Sequence, residues 1–245
     1  MSSTSQDQTL TEAVQAAAAR FSARNPRSAA LHAEAVNSMP GGNTRTTLHT
    51  DPFPVFIKSG KDYQVTSEDG HVYTDLVCEF TAGLYGHSHP VILEAIQEAV
   101  STVGLGLGGQ TVHEVTYAKA IRERFGLERV RFCNSGTEAN LHALAAARAF
   151  TGKRRVVVFS GGYHGAVLGF KGGKPSSNNV DQGDFTVLGY NEDVAPGWLE
   201  TQEDIAAVLV EGMQGSVGAF PGRREWLVKV QNAAQKVRVS HRRVW

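Results

Sequence analysis

Three short apolar runs, Val156–Phe159, Phe185–Leu188 and Ala207–Val210, constrain this chain more than any other feature. Val156–Phe159 and Ala207–Val210 are continuously apolar and Phe185–Leu188 is broken only by Thr186, the signature of strands buried on both faces. Stretches with helical spacing accompany them: Val112–Phe125, Glu138–Phe150 with Leu141, Leu144, Ala145 and Ala149 on one face, and Trp226–Lys236. A short strand is expected at Val130–Cys133, just before the helix at Glu138. Helices alternating with buried strands predict an α/β domain, a mostly parallel sheet flanked by helices.

The N-terminal part reads differently. Thr9-Leu10-Thr11-Glu12 has the spacing of a capping box, and Leu10, Val14, Ala17 and Phe21 follow at helical intervals, so a helix is expected to open there. A second helix is expected over Ser28–Asn37, broken by Pro40-Gly41-Gly42. Val55–Lys58, Tyr63–Ser67 and Val72–Val77 read as strands of a small antiparallel meander, with turns at 59–62 and 68–71. Val91–Val100 is a predicted helix with Pro90 near its start, and Gly104–Gly109 a loop. The expected division is 1–85 for the N-terminal helices and meander, 86–236 for the sheet domain, and 237–245 for a basic tail. That tail stands where the α/β rhythm calls for another apolar strand.

A length of 245 residues suits one large α/β domain with an appendage. The 24 basic and 24 acidic side chains balance, so no general basic field favours nucleic acid. Cys78 and Cys133 are too few for a disulfide framework or a Cys-rich zinc site. Free thiols fit a reducing compartment, and a cytoplasmic location is expected. No stretch reaches the roughly 18 apolar residues of a membrane span. The polar opening MSSTSQDQTL lacks the order of a secretory signal; Arg20, Arg24 and Arg27 leave an organellar transit peptide as an alternative, against Asp7 and Glu12.

Three segments carry candidate chemistry. Asn134-Ser135-Gly136-Thr137-Glu138-Ala139-Asn140 sits where a strand gives way to a helix. Its first-turn N–H groups, the Ser135 and Thr137 hydroxyls and the small Gly136 suit a phosphate. Ser135 and Glu138 also have capping-box spacing, and physics alone leaves both readings open. Ser160-Gly161-Gly162-Tyr163-His164-Gly165 follows the apolar run Val156–Phe159. At a strand's carboxyl end, Tyr163 could stack on a planar ligand and His164 could line the pocket; a tight surface turn is the alternative. Glu211 follows the third run, as a pocket carboxylate or a solvated strand-end acid. Gly104–Gly109 lacks the preceding strand that a dinucleotide fingerprint requires. His87, His89 and His164 lack a carboxylate at ligand spacing, and no metal is expected. Arg45 could grip a substrate carboxylate or lie on the surface.

As an ordered set, Asp69–Asp75, Gly86–Pro90, Asn134–Asn140, Gly161–Gly165 and Val210–Gln214 resemble the class III aminotransferases, pyridoxal-phosphate enzymes of fold type I. The resemblance covers about residues 30–236. It points to the branch of glutamate-1-semialdehyde aminomutase and the β-amino-acid (β-phenylalanine) aminotransferases, with Met39–Arg45, Phe159–Phe170 and Glu211–Gly215 most like the latter. It implies a three-layer large domain and pyridoxal 5'-phosphate as cofactor. Ser135, Gly136 and Thr137 would hold the phosphate, and Tyr163 would stack on the ring with His164 beside it. Glu211 would sit near the ring substituents, and Arg45 would bind a substrate carboxylate. The implied reaction moves an amino group from an amino acid, a β-amino acid first, to a 2-keto acid in a homodimer; an aminomutase and a non-catalytic binding remnant are the alternatives.

The resemblance also implies that the chain is incomplete. The family's Schiff-base lysine would lie beyond residue 245. The strand whose aspartate pairs with the pyridine nitrogen would fall at about 238–245, where no Asp stands. A chain without both is expected to be inactive as a transaminase. Natural truncation and an aberrant reading of the gene stay open.

Overall fold

The computed structural model describes residues 3–237, and residue contacts divide the chain into one unit through Gln110 and another from Thr111. The first unit contains helices α1 (Ser3–Arg24), α2 (Pro26–Ala35) and α3 (Pro90–Thr102), and strands β1 (Ile57–Lys61), β2 (Gln64–Ser67) and β3 (Val72–Thr74). Thr9–Glu12 lies inside α1 rather than at its start, because the residues before it include no proline or glycine to stop the helix. α2 begins at Pro26, whose fixed φ suits a first helical position. Its N-terminus is capped from the β2–β3 turn: Asp69 accepts from Arg27 N–H (2.7 Å), Ser28 N–H (3.1 Å) and Ser28 Oγ (2.5 Å). Burial pushes the Asp69 carboxyl up, but these bonds hold it below the ordinary value.

The meander pairs antiparallel in the order β1-β2-β3, as expected. β1 runs on to Lys61, and β3 stops at Thr74. Asp75 Oδ2 lies 2.8 Å from His87 Nε2, and Asp75 Oδ1 accepts the Val77 N–H at 2.8 Å. The His87 bond, then the backbone donors, hold the Asp75 carboxyl below its usual range.

The second unit contains α4 (Val112–Phe125), α5 (Gly136–Thr151), β4 (Arg155–Phe159), the hairpin β5 (Phe170–Lys171) and β6 (Lys174–Pro175), and β7 (Phe185–Leu188). α6 (Val194–Glu200), β8 (Ile205–Val208), the short pair β9 (Met213–Gln214) and β10 (Phe220–Pro221), and α7 (Arg224–Lys236) complete it. β7, β4 and β8 form a parallel sheet in that order, with β4 central. Side chains of a strand alternate between faces. Val156 and Val158 therefore pack with Leu144 of α5, Leu168 and Phe170. Val157 and Phe159 pack with Ala195 and Leu199 of α6 and with Trp226, Val230 and Ala233 of α7. A central strand covered on both faces makes this unit a helix–sheet–helix sandwich. Val157→Ala, which empties a fully buried site, is expected to cost about 2 kcal/mol in urea unfolding.

The structure corrects the reading at several places. Val130–Cys133 is not a strand, since no neighbour among the described residues gives it a ladder. The third parallel strand is Ile205–Val208, not Ala207–Val210; one further ladder bond, Leu209 N–H to Val157 carbonyl (2.8 Å), ends it. α5 buries Leu144 and Ala147, while Ala145 and Ala149 face outward. α3 and the 104–109 loop group with the first unit. The strand sought at 238–245, and all of the tail except Val237, lie outside the described residues.

Candidate cofactor site

Ser135 caps α5 in extended conformation, its Oγ accepting the Glu138 N–H at 3.1 Å. Glu138 Oε2 in turn accepts the Asn134 N–H at 2.8 Å. The capping reading is therefore realised, and it leaves the N–H groups of Gly136 and Thr137 in the first turn, where a helix has no acceptor for them. The helix dipole adds positive potential at that end.

Thr137 faces the loop after β4. Its Oγ1 accepts the Ala166 N–H at 3.0 Å, which leaves the hydroxyl proton free to be donated. Gly165, at φ +127°, makes this approach possible; a Cβ there would stand 2.5 Å from Thr137 Oγ1 and 2.8 Å from its Cα. Asn140, one turn along α5, donates to the His164 carbonyl at 2.8 Å.

The other side of the loop is held from the segment after β8. Glu211 Oε1 accepts the Tyr163 N–H at 2.9 Å, so this acid is not merely solvated. Gln214 Nε2 donates to the Ser160 carbonyl and Ser216 Oγ to the Gly161 carbonyl, both at 2.9 Å. Tyr190 O–H donates to the Glu211 carbonyl at 2.8 Å; burial, then the nearby Glu211 charge, raise the Tyr190 pKa. Tyr163 keeps half its surface open, at 49% exposure. His164 is 5% exposed, with its ring edge-on to Phe170. Its Nε2 has no partner among the described residues, and burial lowers its pKa from 6.5 to about 4. It is thus a neutral group inside the loop rather than an open wall of a pocket.

The structure brings together Ser135, Gly136, Thr137, Tyr163, His164 and Glu211, at the helix start and the carboxyl ends of β4 and β8, where parallel sheets bind ligands. Asn140, Gly165 and Gln214 belong to the same assembly and were not singled out from the sequence. Arg45 belongs to the other unit, exposed, its carbonyl accepting the Leu48 N–H at 2.9 Å.

The helix–sheet–helix unit, with its helix start facing an aromatic turn, has the arrangement of a fold-type-I pyridoxal-phosphate transferase domain, as solved relatives show. Residues 46–239 match the family described as aminotransferase class-III. The chain is 45% identical over 234 residues to the β-phenylalanine transaminase of Variovorax paradoxus, covering 94% of this chain and 52% of that protein. It is 36% identical over 214 residues to the glutamate-1-semialdehyde 2,1-aminomutase of Methanothermobacter thermautotrophicus, covering 82% and 51%. Among solved structures, a β-phenylalanine aminotransferase from Variovorax paradoxus superposes with a TM-score of 0.88 at 44% identity, covering 94% of this chain and 53% of that one. The chain belongs to the class III aminotransferases, whose cofactor is pyridoxal phosphate. It spans about half the length of the curated relatives it matches. No helix among the described residues is long and apolar enough to cross a membrane.

Proposed function

We propose that this chain supplies the phosphate-holding and ring-holding side of a pyridoxal-phosphate-dependent aminotransferase that moves an amino group from a β-amino acid to a 2-keto acid. The observation that carries the reading is the convergence of Thr137 and the α5 N-terminus with the Tyr163 turn at the carboxyl end of the sheet. These residues fit the cofactor: an uncommitted hydroxyl proton and two first-turn N–H groups suit a phosphate, and a half-exposed tyrosine suits a planar ring. Bound pyridoxal phosphate supplies an electron sink for the carbon that carries the amino group. Glu211 holds the Tyr163 backbone, and His164, neutral, keeps charge out of the loop interior. Arg45 grips the substrate carboxylate through its guanidinium. The β-amino-acid substrate is favoured by the higher identity to the β-phenylalanine transaminase than to the aminomutase. A homodimer in the cytoplasm completes the proposal.

Cofactor binding tests this reading directly. Titration with pyridoxal phosphate, followed by fluorescence quenching, is expected to show saturable binding. Thr137→Val, which keeps the shape and removes the hydroxyl, should weaken it roughly tenfold or more, since a bond to a charged group is worth about 1.5–3 kcal/mol. Absence of binding, or an unchanged affinity in the variant, would remove the assignment.

A further inference from the structure

The loop from Ser160 to Ala166 is fastened to α5 by two bonds of opposite polarity. Thr137 Oγ1 accepts from Ala166, and Asn140 Nδ2 donates to the His164 carbonyl. Residues three apart on a helix share a face, so both side chains reach the loop together. Their tasks differ. Thr137 also presents its hydroxyl at the phosphate turn, whereas the bond from Asn140 ends on the loop backbone. The carbonyl it satisfies belongs to His164, which is 5% exposed. The neighbouring Tyr163 is held from the opposite side by Glu211. Tyr163 is therefore held from the β8 side by Glu211 and from α5, at the next residue, by Asn140, and its backbone also bridges to Gly169.

We infer that Asn140 is a positioning residue that fixes the Tyr163 ring relative to the phosphate turn without touching the ligand. This rests on the cofactor reading of Ser135–Thr137 and Tyr163. It implies that ring affinity and phosphate affinity separate on mutation: Thr137 serves both, and Asn140 serves the ring alone.

Asn140→Leu tests this in the whole 245-residue chain, because leucine has a similar size and no donor. Three probes are titrated: pyridoxal phosphate, phosphate-free pyridoxal and inorganic phosphate. Hydrogen exchange is followed at the amides of Tyr163 and Ala166. The expected result is affinity for pyridoxal phosphate and pyridoxal about tenfold weaker, from an unsatisfied carbonyl. Inorganic phosphate affinity should stay unchanged, and exchange should quicken at 163–166 but not along α5. Equal losses for all three probes would indicate general disruption and overturn the inference, as would unchanged pyridoxal affinity. If the unmutated chain binds none of the probes, the cofactor reading fails by itself. Exchange at 163–166 then decides the latch: faster in the variant supports it, unchanged overturns it.

Discussion

Replacing Gly165 by alanine is expected to lower pyridoxal-phosphate affinity by roughly 100-fold while leaving the sheet intact. Two costs add. At φ +127° a side chain sits in backbone space that L-residues rarely occupy, which costs about 1–3 kcal/mol. The new Cβ would also overlap Thr137 Oγ1 and Cα, so the loop must back away and lose the Ala166–Thr137 hydrogen bond, about 1 kcal/mol more. Restoring the binding geometry against about 3 kcal/mol corresponds to the stated loss. Gly126→Ala is the control: φ there is also positive, at +64°, but nothing lies within 4 Å of the added carbon. Its affinity should be close to that of the unmutated chain. If the two variants bind equally well, close packing of Gly165 on Thr137 does not shape the site.

What could be read from the sequence was what is local. Val156–Phe159 announced a doubly covered strand because every residue in it is apolar, and all four prove buried. The Ser135 cap was legible because its partner, Glu138, is three residues away. The bonds that build the site around it were not. Asn140 meets His164 across 24 residues, and Glu211 meets Tyr163 across 48; neither separation leaves a periodic mark. β8 was misplaced because Ile205–Val210 is apolar throughout and carries no signal of where pairing begins. The buried face of α5 was misread for a related reason. Alanines at 143, 145, 146, 147 and 149 point in every direction, so the pattern alone does not choose Ala147. Val130–Cys133 shows the limit from the other side. A short run such as Val130-Arg131-Phe132-Cys133 becomes a strand only when a neighbour offers a ladder, and that is a property of the fold, not of the run.

Lowering the pH from 7 to about 4.5 is expected to destabilise the second unit by on the order of 2 kcal/mol through His164 alone. Burial lowers the pKa of this ring from 6.5 to about 4, because a charged imidazolium would sit beside Phe170 with little solvent. In the unfolded chain the ring takes a proton near pH 6.5. Between about pH 4 and 6.5 the unfolded state thus binds more protons, so stability rises with pH in that window. The contribution is fully present above pH 6.5 and is lost as pH falls toward 4. Asp69 and Asp75 do not blur this window: their carboxyls are held below the ordinary 3.8, so their contributions fade only as pH drops past that value. The same is true of Asp181, where burial raises the carboxyl but the Arg148 hydrogen bond, the Asp184 and Gly183 N–H donors and the Arg148 charge together more than offset it. The loop can also open locally before the unit unfolds, which would expose His164 and cap the global effect at the cost of opening. Two readouts are therefore needed: urea unfolding at both pH values, and exchange at the Tyr163 and Ala166 amides. His164→Leu removes the titrating group and keeps an apolar filling. The unmutated chain should lose on the order of 2 kcal/mol more than this variant, or, if opening is local, lose amide protection at 163–166 that the variant retains. Identical pH dependence of both proteins in both readouts would mean that folding does not lower the pKa of His164.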